Sequence, residues 1–182
     1  MRSLVQVRLS GSGGQGIVMA GLLLGAAGAN DGKFVSGSNV YGAQARGSDC
    51  RSEVILSDRP IDFPHLISPD FLIAMSQATY DLYSAEVRSV DSLILYDPGF
   101  VTPRAIATVR QLPVQATDYA LKNLNNQQMA NLVLLGAFVA ITGIVSPEGS
   151  KKAILGHVRE RFHELNLKAF EAGMRIGRNV HV

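Results

Sequence analysis

Gly11-Ser12-Gly13-Gly14-Gln15-Gly16 stands between the short apolar alternation Val5-Gln6-Val7-Arg8-Leu9 and a long run of small and apolar residues from Ile17 to Asn30. A strand, a glycine turn and a helix in that order open an α/β fold. Glycines let the chain turn tightly and approach a ligand closely, and the helix that follows offers unpaired N–H groups to negative charge. The stretch therefore predicts a first βα unit and an anion-binding edge. Within the helix, Gly21, Gly25 and Gly28 are spaced by four and three and share one face. A face without side chains lets the helix lie close against a sheet or another helix.

Working outward, Phe34-Val35-Ser36 reads as a second strand entering a loop from Gly37 to Ser48. Glu53 to Ser57 reads as a third strand, turned by Asp58-Arg59-Pro60. Phe71-Leu72-Ile73-Ala74-Met75 is an unbroken apolar run of the kind a parallel sheet buries on both faces. A helix from Gln77 to Val90 and a strand from Ser92 to Tyr96, stopped by Asp97-Pro98-Gly99, add a further βαβ step. Gln111 to Val114 is a further strand, and Thr117 is read as the cap of a short helix to Leu124. A helix from Gln127 to Thr142 stops at Gly143, and Ser146-Pro147-Glu148 opens the next helical stretch. Helical segments Lys151 to Phe162 and Asn166 to Met174 fill the tail. The order predicts one α/β domain over residues 1–182, with three α/β/α layers and a mainly parallel, Rossmann-like sheet. Its ligand edge is expected at the C-terminal ends of the strands.

Composition narrows the function classes. Of 182 residues, 47% are hydrophobic and only 18% charged, more apolar surface than one small domain readily hides. A lasting partner is expected, and in isolation a homodimer. A net charge of +2 without a Lys/Arg run argues against nucleic acid. The single cysteine, Cys50, excludes an internal disulfide and any Cys-rich metal or iron–sulfur site within one chain, and suits a reducing, cytoplasmic setting. The N-terminal stretch lacks a signal-peptide pattern. Met129 to Val145 falls short of ~20 apolar residues, so it reads as a buried core helix rather than a membrane span.

Gly11, Gly13 and Gly16 fit the dinucleotide-turn spacing, yet the expected acid at the end of the second strand is missing, since that strand ends in Ser36-Gly37. A turn that packs tightly, or meets a phosphate or a neighbouring chain, is the better reading. No Gly-Lys-Ser/Thr follows the turn, so a P-loop is excluded, and no G-x-S-x-G occurs. His65, His157, His163 and His181 are dispersed without metal-ligand spacing. Cys50 adjoins Arg51, which would lower a thiol pKa, but no base can be assigned to it and it reads as a bystander. Arg46, between Ala45 and Gly47 and downstream of Tyr41-Gly42, is the charged group of interest. Its guanidinium offers a planar fork for phosphate or carboxylate, or else fixes the loop through a salt bridge.

Taken together, Gly13-Gly14-Gln15-Gly16, Tyr41-Gly42 with Arg46-Gly47, and Asn131 with Leu135-Gly136-Ala137 resemble the gamma subunit of 2-oxoacid:ferredoxin oxidoreductases. The order and spacing fit over nearly the whole chain. One departure is Ser48, where the family commonly has a second glycine after Arg-Gly. The resemblance implies a multisubunit enzyme that oxidatively decarboxylates a 2-oxoacid, makes an acyl-CoA and reduces ferredoxin. Thiamine diphosphate and iron–sulfur clusters are then expected in the alpha and beta subunits, with or without a delta subunit. This chain carries no redox centre of its own: it has one cysteine, and no Gly-Asp-Gly precedes the pair Asn125-Asn126. It is expected to supply no catalytic group and to form a wall of the site or control coenzyme A through Gly13, Gly14, Gln15, Gly16, Tyr41, Gly42, Arg46 and Gly47. Tyr41 to Arg46 and Ser52-Glu53-Val54-Ile55 look more like the 2-oxoglutarate branch than the pyruvate or indolepyruvate branches. A pyruvate enzyme, a free-standing nucleotide-binding domain and a pure assembly subunit remain the alternatives.

Overall fold

The computed structural model describes residues 3–41, 49–87 and 91–180. These residues form a six-stranded sheet built from β1 (Leu4–Ser12), β2 (Phe34–Tyr41), β3 (Asp49–Ser57), β4 (Phe71–Ala74), β5 (Leu93–Tyr96) and β6 (Arg110–Pro113). The strand order is β2-β3-β1-β4-β5-β6. The pairings β1–β4, β4–β5 and β5–β6 are parallel, while β3 runs antiparallel to both β1 and β2. Five strands thus point one way, and β3 alone reverses. The mainly parallel, three-layer expectation is met with that one exception.

One face of the sheet is covered by α1 (Ile17–Asn30) and α4 (Ala130–Thr142), with α3 (Ala116–Leu124), α5 (Pro147–His157) and α6 (His163–Asn179) packed around them. Val7 and Leu9 of β1, Leu24 of α1, Phe138 of α4 and Phe170 of α6 share that core, and all are nearly inaccessible. The glycine face of α1 meets the sheet as expected. A side chain at Gly21 would collide with Ser52 and one at Gly28 with Leu56, both on β3. Helices α4 and α6 use the same device: Gly136 lies against the backbone of Phe170, and Gly173 against that of Val133.

The second face is covered by α2 (Gln77–Tyr83) and a 3₁₀ turn at Ser84–Glu86, over Leu72, Ala74, Ile94 and Tyr96. Toward β3 this layer turns polar. Buried Arg8 donates to Glu53 Oε1 at 2.9 and 3.1 Å and to Glu86 at 2.5 Å, with its guanidinium 4.5 Å from the centre of the Tyr83 ring.

Several boundaries differ from the sequence reading. β2 continues through Gly37 to Tyr41 and β3 begins at Asp49, where a loop from Gly37 to Ser48 is expected; residues 42–48 lie outside the described set. The helix from Gln77 gives way at Ser84 to a 3₁₀ turn, where Glu86 is held by Arg8, rather than running to Val90. Thr117 is not a cap: α3 starts at Ala116 after Gln115, and the Thr117 N–H donates to Asp97. Gln127–Met129 forms a 3₁₀ turn before α4, and Gly143 ends α4 with φ 62°. In the tail, α5 begins at Pro147 with Ser146 as its cap, and α6 runs from His163 to Asn179.

Candidate functional site

From β1 the chain crosses through α1 toward β2, whereas from β4 it crosses through α2 toward β5. The two connections diverge between β1 and β4, and an open α/β sheet places its ligand crevice at the C-terminal ends of such strands. Gln15 spans that crevice. Its Oε1 accepts from the Ser12 N–H at 2.6 Å and its Nε2 donates to the Met75 carbonyl at 2.8 Å, tying the end of β1 to the end of β4. Gly14 and Gly16 take φ 97° and 77°, left-handed values that glycine adopts without strain. Gly16 is also walled by buried Asn131, whose Nδ2 donates to the Gly16 carbonyl at 3.0 Å while its Oδ1 accepts from the Leu132 N–H at 2.8 Å. One asparagine therefore fixes the start of α1 against the start of α4.

Beside Gln15 opens a cavity of about 290 Å³, lined by Gly13, Gly14, Gln15, Met75, Phe100, Thr117, Gln127, Gln128 and Ala130. Three helical starts converge on it: α1 behind Gly16, α3 at Ala116, and the Gln127–Met129 turn leading into α4. Each α-helix start carries roughly half a positive charge from its unpaired N–H groups. Buried Asp97 answers one of them, accepting from Thr117 N at 2.8 Å and from Gly99 N at 3.0 Å. The start of α1 has neither a side-chain cap nor an acidic residue in its first turn, whereas at α4 the Ala130 N–H is taken by the Gln127 carbonyl and the Leu132 N–H by Asn131 Oδ1. The Thr117 hydroxyl is buried without a hydrogen-bond partner among the described residues. Unpaired donors, a lone hydroxyl and side-chain amides at one cleft suit an anion with acceptor oxygens, such as a phosphate or pyrophosphate.

The sequence-predicted residues divide here. Gly13, Gly14 and Gln15 line the cavity, and Gly16 stands behind it at the start of α1. Tyr41, 67% exposed, ends β2 at the same sheet edge, in one row with Cys50 and Gly11. That row puts Tyr41 about 10 Å from β1 on the side away from the cavity. Gly42, Arg46 and Gly47 lie outside the described residues. Met75, Phe100, Thr117, Gln127 and Gln128 escaped the sequence reading as site residues. The signals for them were Asp97-Pro98-Gly99 directly after a strand and the polar run Asn125 to Gln128 before an apolar helix. Cys50 has the surroundings of an inert thiol: burial on the α1 side pushes its pKa up, and Arg51 turns to the other face, bonding Tyr83 Oη at 3.0 Å. Among the described residues no cluster of His, Cys, Asp or Glu could hold a metal ion, and no helix is long and apolar enough to cross a membrane.

The chain resembles known proteins in both sequence and fold. Residues 6–176 match the family described as pyruvate ferredoxin/flavodoxin oxidoreductase. The chain belongs to this family. As a family member it is 39% identical to 2-oxoglutarate synthase subunit KorC of Methanocaldococcus jannaschii, across 96% of this chain and 95% of that one. The gamma subunit of a keto/oxoacid ferredoxin oxidoreductase from Geobacter sulfurreducens superposes with a TM-score of 0.84 at 37% identity, covering 95% of this chain and 98% of that subunit. A 2-oxoglutarate:ferredoxin oxidoreductase from Magnetococcus marinus, solved with 2-oxoglutarate, coenzyme A and succinyl-CoA, has the same fold. There the TM-score is 0.88 at 22% identity, and this chain spans 32% of a longer polypeptide.

Proposed function

We propose that this chain, acting as one domain, is the gamma subunit of a 2-oxoglutarate:ferredoxin oxidoreductase. The assembled enzyme takes 2-oxoglutarate and coenzyme A to succinyl-CoA and carbon dioxide, and passes two electrons to ferredoxin. The observation that carries this reading is the 39% identity to a 2-oxoglutarate synthase subunit along nearly the full length of both chains. The residues present do not fit an iron–sulfur cluster, which needs several thiolates where this chain has one buried cysteine. Thiamine diphosphate and the clusters therefore belong to alpha and beta partners, with or without a delta subunit, in the cytoplasm. No step of the redox chemistry runs through this chain's side chains.

Its own contribution is to hold coenzyme A at the edge of the assembled site. The cleft between Gly13-Gly14, Thr117 and Gln127-Gln128 takes the pyrophosphate, whose charge the open start of α1 offsets. Tyr41 ends β2 at the same edge, and it is assigned, with Gly42, Arg46 and Gly47 that follow it in sequence, to coenzyme A access or to shielding the site from water. Purification of the complex without oxygen tests the assignment: a brown, multisubunit particle active with 2-oxoglutarate, coenzyme A and ferredoxin is expected. A colourless particle of this chain alone would overturn it. Within the active complex, Arg46→Ala and Thr117→Val should raise the KM for coenzyme A and leave that for 2-oxoglutarate unchanged. Unaltered coenzyme A dependence in both would leave this chain a role in assembly only.

A further inference from the structure

β2 is an edge strand of eight residues, Phe34-Val35-Ser36-Gly37-Ser38-Asn39-Val40-Tyr41, with no charged side chain and no proline. Edge strands expose unpaired N–H and C=O groups, and proteins ordinarily blunt them with charge, proline, bulges or shortness. The opposite edge of this same sheet is treated that way: β6 has only four residues, and they include Arg110 and Pro113. β2 carries none of these devices. Among the described residues, no backbone hydrogen bond reaches it from outside its ladder with β3.

The α1 layer flanking this edge is equally bare of charge. α1 has no ionisable residue in fourteen, yet Met19 and Leu22 are 37% and 47% exposed. Gly25 of α1 faces Val35 of β2, with a Cβ there lying 3.4 Å from its methyl. Leu22 and Ala29, three residues before Gly25 and four after it, therefore lie on the side of the helix toward β2. On the other face Phe34 and Val40 of β2 are both nearly half exposed.

We infer that β2 is the dimer edge of this protein, pairing antiparallel with β2 of a second copy across a two-fold axis perpendicular to the sheet. Such an axis keeps each side chain on its own face, so opposed residues must be an even number apart in sequence. With the axis at Gly37, Phe34 of each copy opposes Val40 of the other, Ser36 opposes Ser38, and Val35 opposes Asn39. Aromatic–β-branched pairs fall at both ends, hydroxyl pairs flank the centre, and a glycine occupies the axis where two side chains would otherwise meet. No like charges are brought together, because neither β2 nor α1 carries any. The two Lys33 residues stand at opposite ends of the joint strand pair. The same axis brings the exposed Leu22 side of α1 toward its symmetry mate, and the two sheets join into one of twelve strands.

This inference is independent of the oxidoreductase reading, and its test uses no activity. Gly37→Cys is the probe, since a Cβ at Gly37 meets only the Glu53 carbonyl, at an ordinary 3.8 Å. Mild oxidation of the full chain should link Gly37→Cys into covalent dimers, whereas the wild-type chain, with only buried Cys50, should not link. Sedimentation equilibrium should find the wild-type chain dimeric. The double variant Leu22→Glu/Phe34→Glu, which changes two exposed positions, should dissociate at least tenfold more readily while keeping its far-UV spectrum. The cross-link should also form between two copies in the complex purified from cells. A wild-type monomer would overturn the inference. So would a dimer untouched by the double variant, or a Gly37→Cys cross-link made only to a different chain.

Discussion

Gln15→Glu isolates the one side chain that bridges the sheet crevice. The replacement is isosteric, and its Oε1 still accepts from Ser12 N–H at 2.6 Å. What changes is the other contact: an oxygen now faces the Met75 carbonyl oxygen where Nε2 donated at 2.8 Å. A net hydrogen bond of ~1 kcal/mol is lost, and an acceptor is left facing an acceptor in a half-buried cleft. Together these cost about 1–3 kcal/mol. In a chain of this size, that predicts a fall in Tm of roughly 2–4 °C per kcal/mol lost. The same perturbation adds a negative charge beside the Gly13-Gly14 turn. If the whole cost is expressed as lost order of the anion cleft, the KM for coenzyme A rises about 5- to 150-fold. Steady-state kinetics of the complex with each substrate varied in turn, beside thermal denaturation, measures both. A variant with wild-type Tm and wild-type coenzyme A dependence would refute the idea that Gln15 shapes the cleft. Loss of Tm with unchanged coenzyme A kinetics would confine Gln15 to joining β1 and β4.

Three further predictions concern packing and protonation. Gly136→Ala should destabilise the chain by about 1–3 kcal/mol in denaturant titration even though alanine is the better helix former, because the added methyl meets the Phe170 and Met174 backbone of α6. Gly156→Ala, at a helical position with open space around it, should instead be neutral or stabilising by up to ~1 kcal/mol. Arg8→Met should cost about 3–5 kcal/mol by removing the cation that bonds buried Glu53 twice and leaving it, among the described residues, only the 3.3 Å ion pair with Arg51, and adding Glu53→Gln should recover part of that loss. Burial raises the Cys50 pKa by disfavouring its thiolate. Its labelling by maleimide at mildly alkaline pH should be slow until the chain unfolds. The stability linked to that thiol is complete below the ordinary thiol pKa and declines as the pH climbs toward the raised folded value.

The sequence announced those parts of the fold whose cause is local. α1 spans Ile17–Asn30 as read, because its glycine spacing and lack of charge are both dictated by the sheet beneath. Gly143 and Ser146 mark their helix boundaries by left-handed backbone and side-chain capping, which single residues encode. The failures have tertiary causes. Ser38 hydrogen-bonds Glu53 and Asn39 accepts from Ser52, so pairing with β3 draws a glycine- and serine-rich stretch into a strand its composition did not suggest. Thr117 looked like a cap by residue type, but Asp97, twenty residues earlier in sequence, already holds its N–H.

The site follows the same division, and that bears on how the cleft works. Gly13 to Gly16 were legible because a glycine turn between a strand and a helix serves a narrow set of structural purposes, but a turn alone does not make an anion site. The structure adds two further helical starts, which reach the cleft only because α3 follows β6 and α4 follows the Gln127–Met129 turn. Their convergence is a property of topology and leaves no motif in the sequence. Asp97 answers the start of α3 and is buried. Had it instead faced the cavity, its negative charge would oppose an entering anion. With that carboxylate committed to two backbone N–H groups, the field of the open α1 start is left for a ligand. The cleft is therefore predisposed toward an anion by fixed backbone dipoles, and Asp97→Ala would test this by releasing the Thr117 N–H and loosening the loop at Phe100 together. Asp97→Asn keeps an oxygen for one of the two N–H donors. It should disturb coenzyme A kinetics less than Asp97→Ala, and equal effects of the two, which remove the same charge, would show that charge rather than loop geometry governs the cleft.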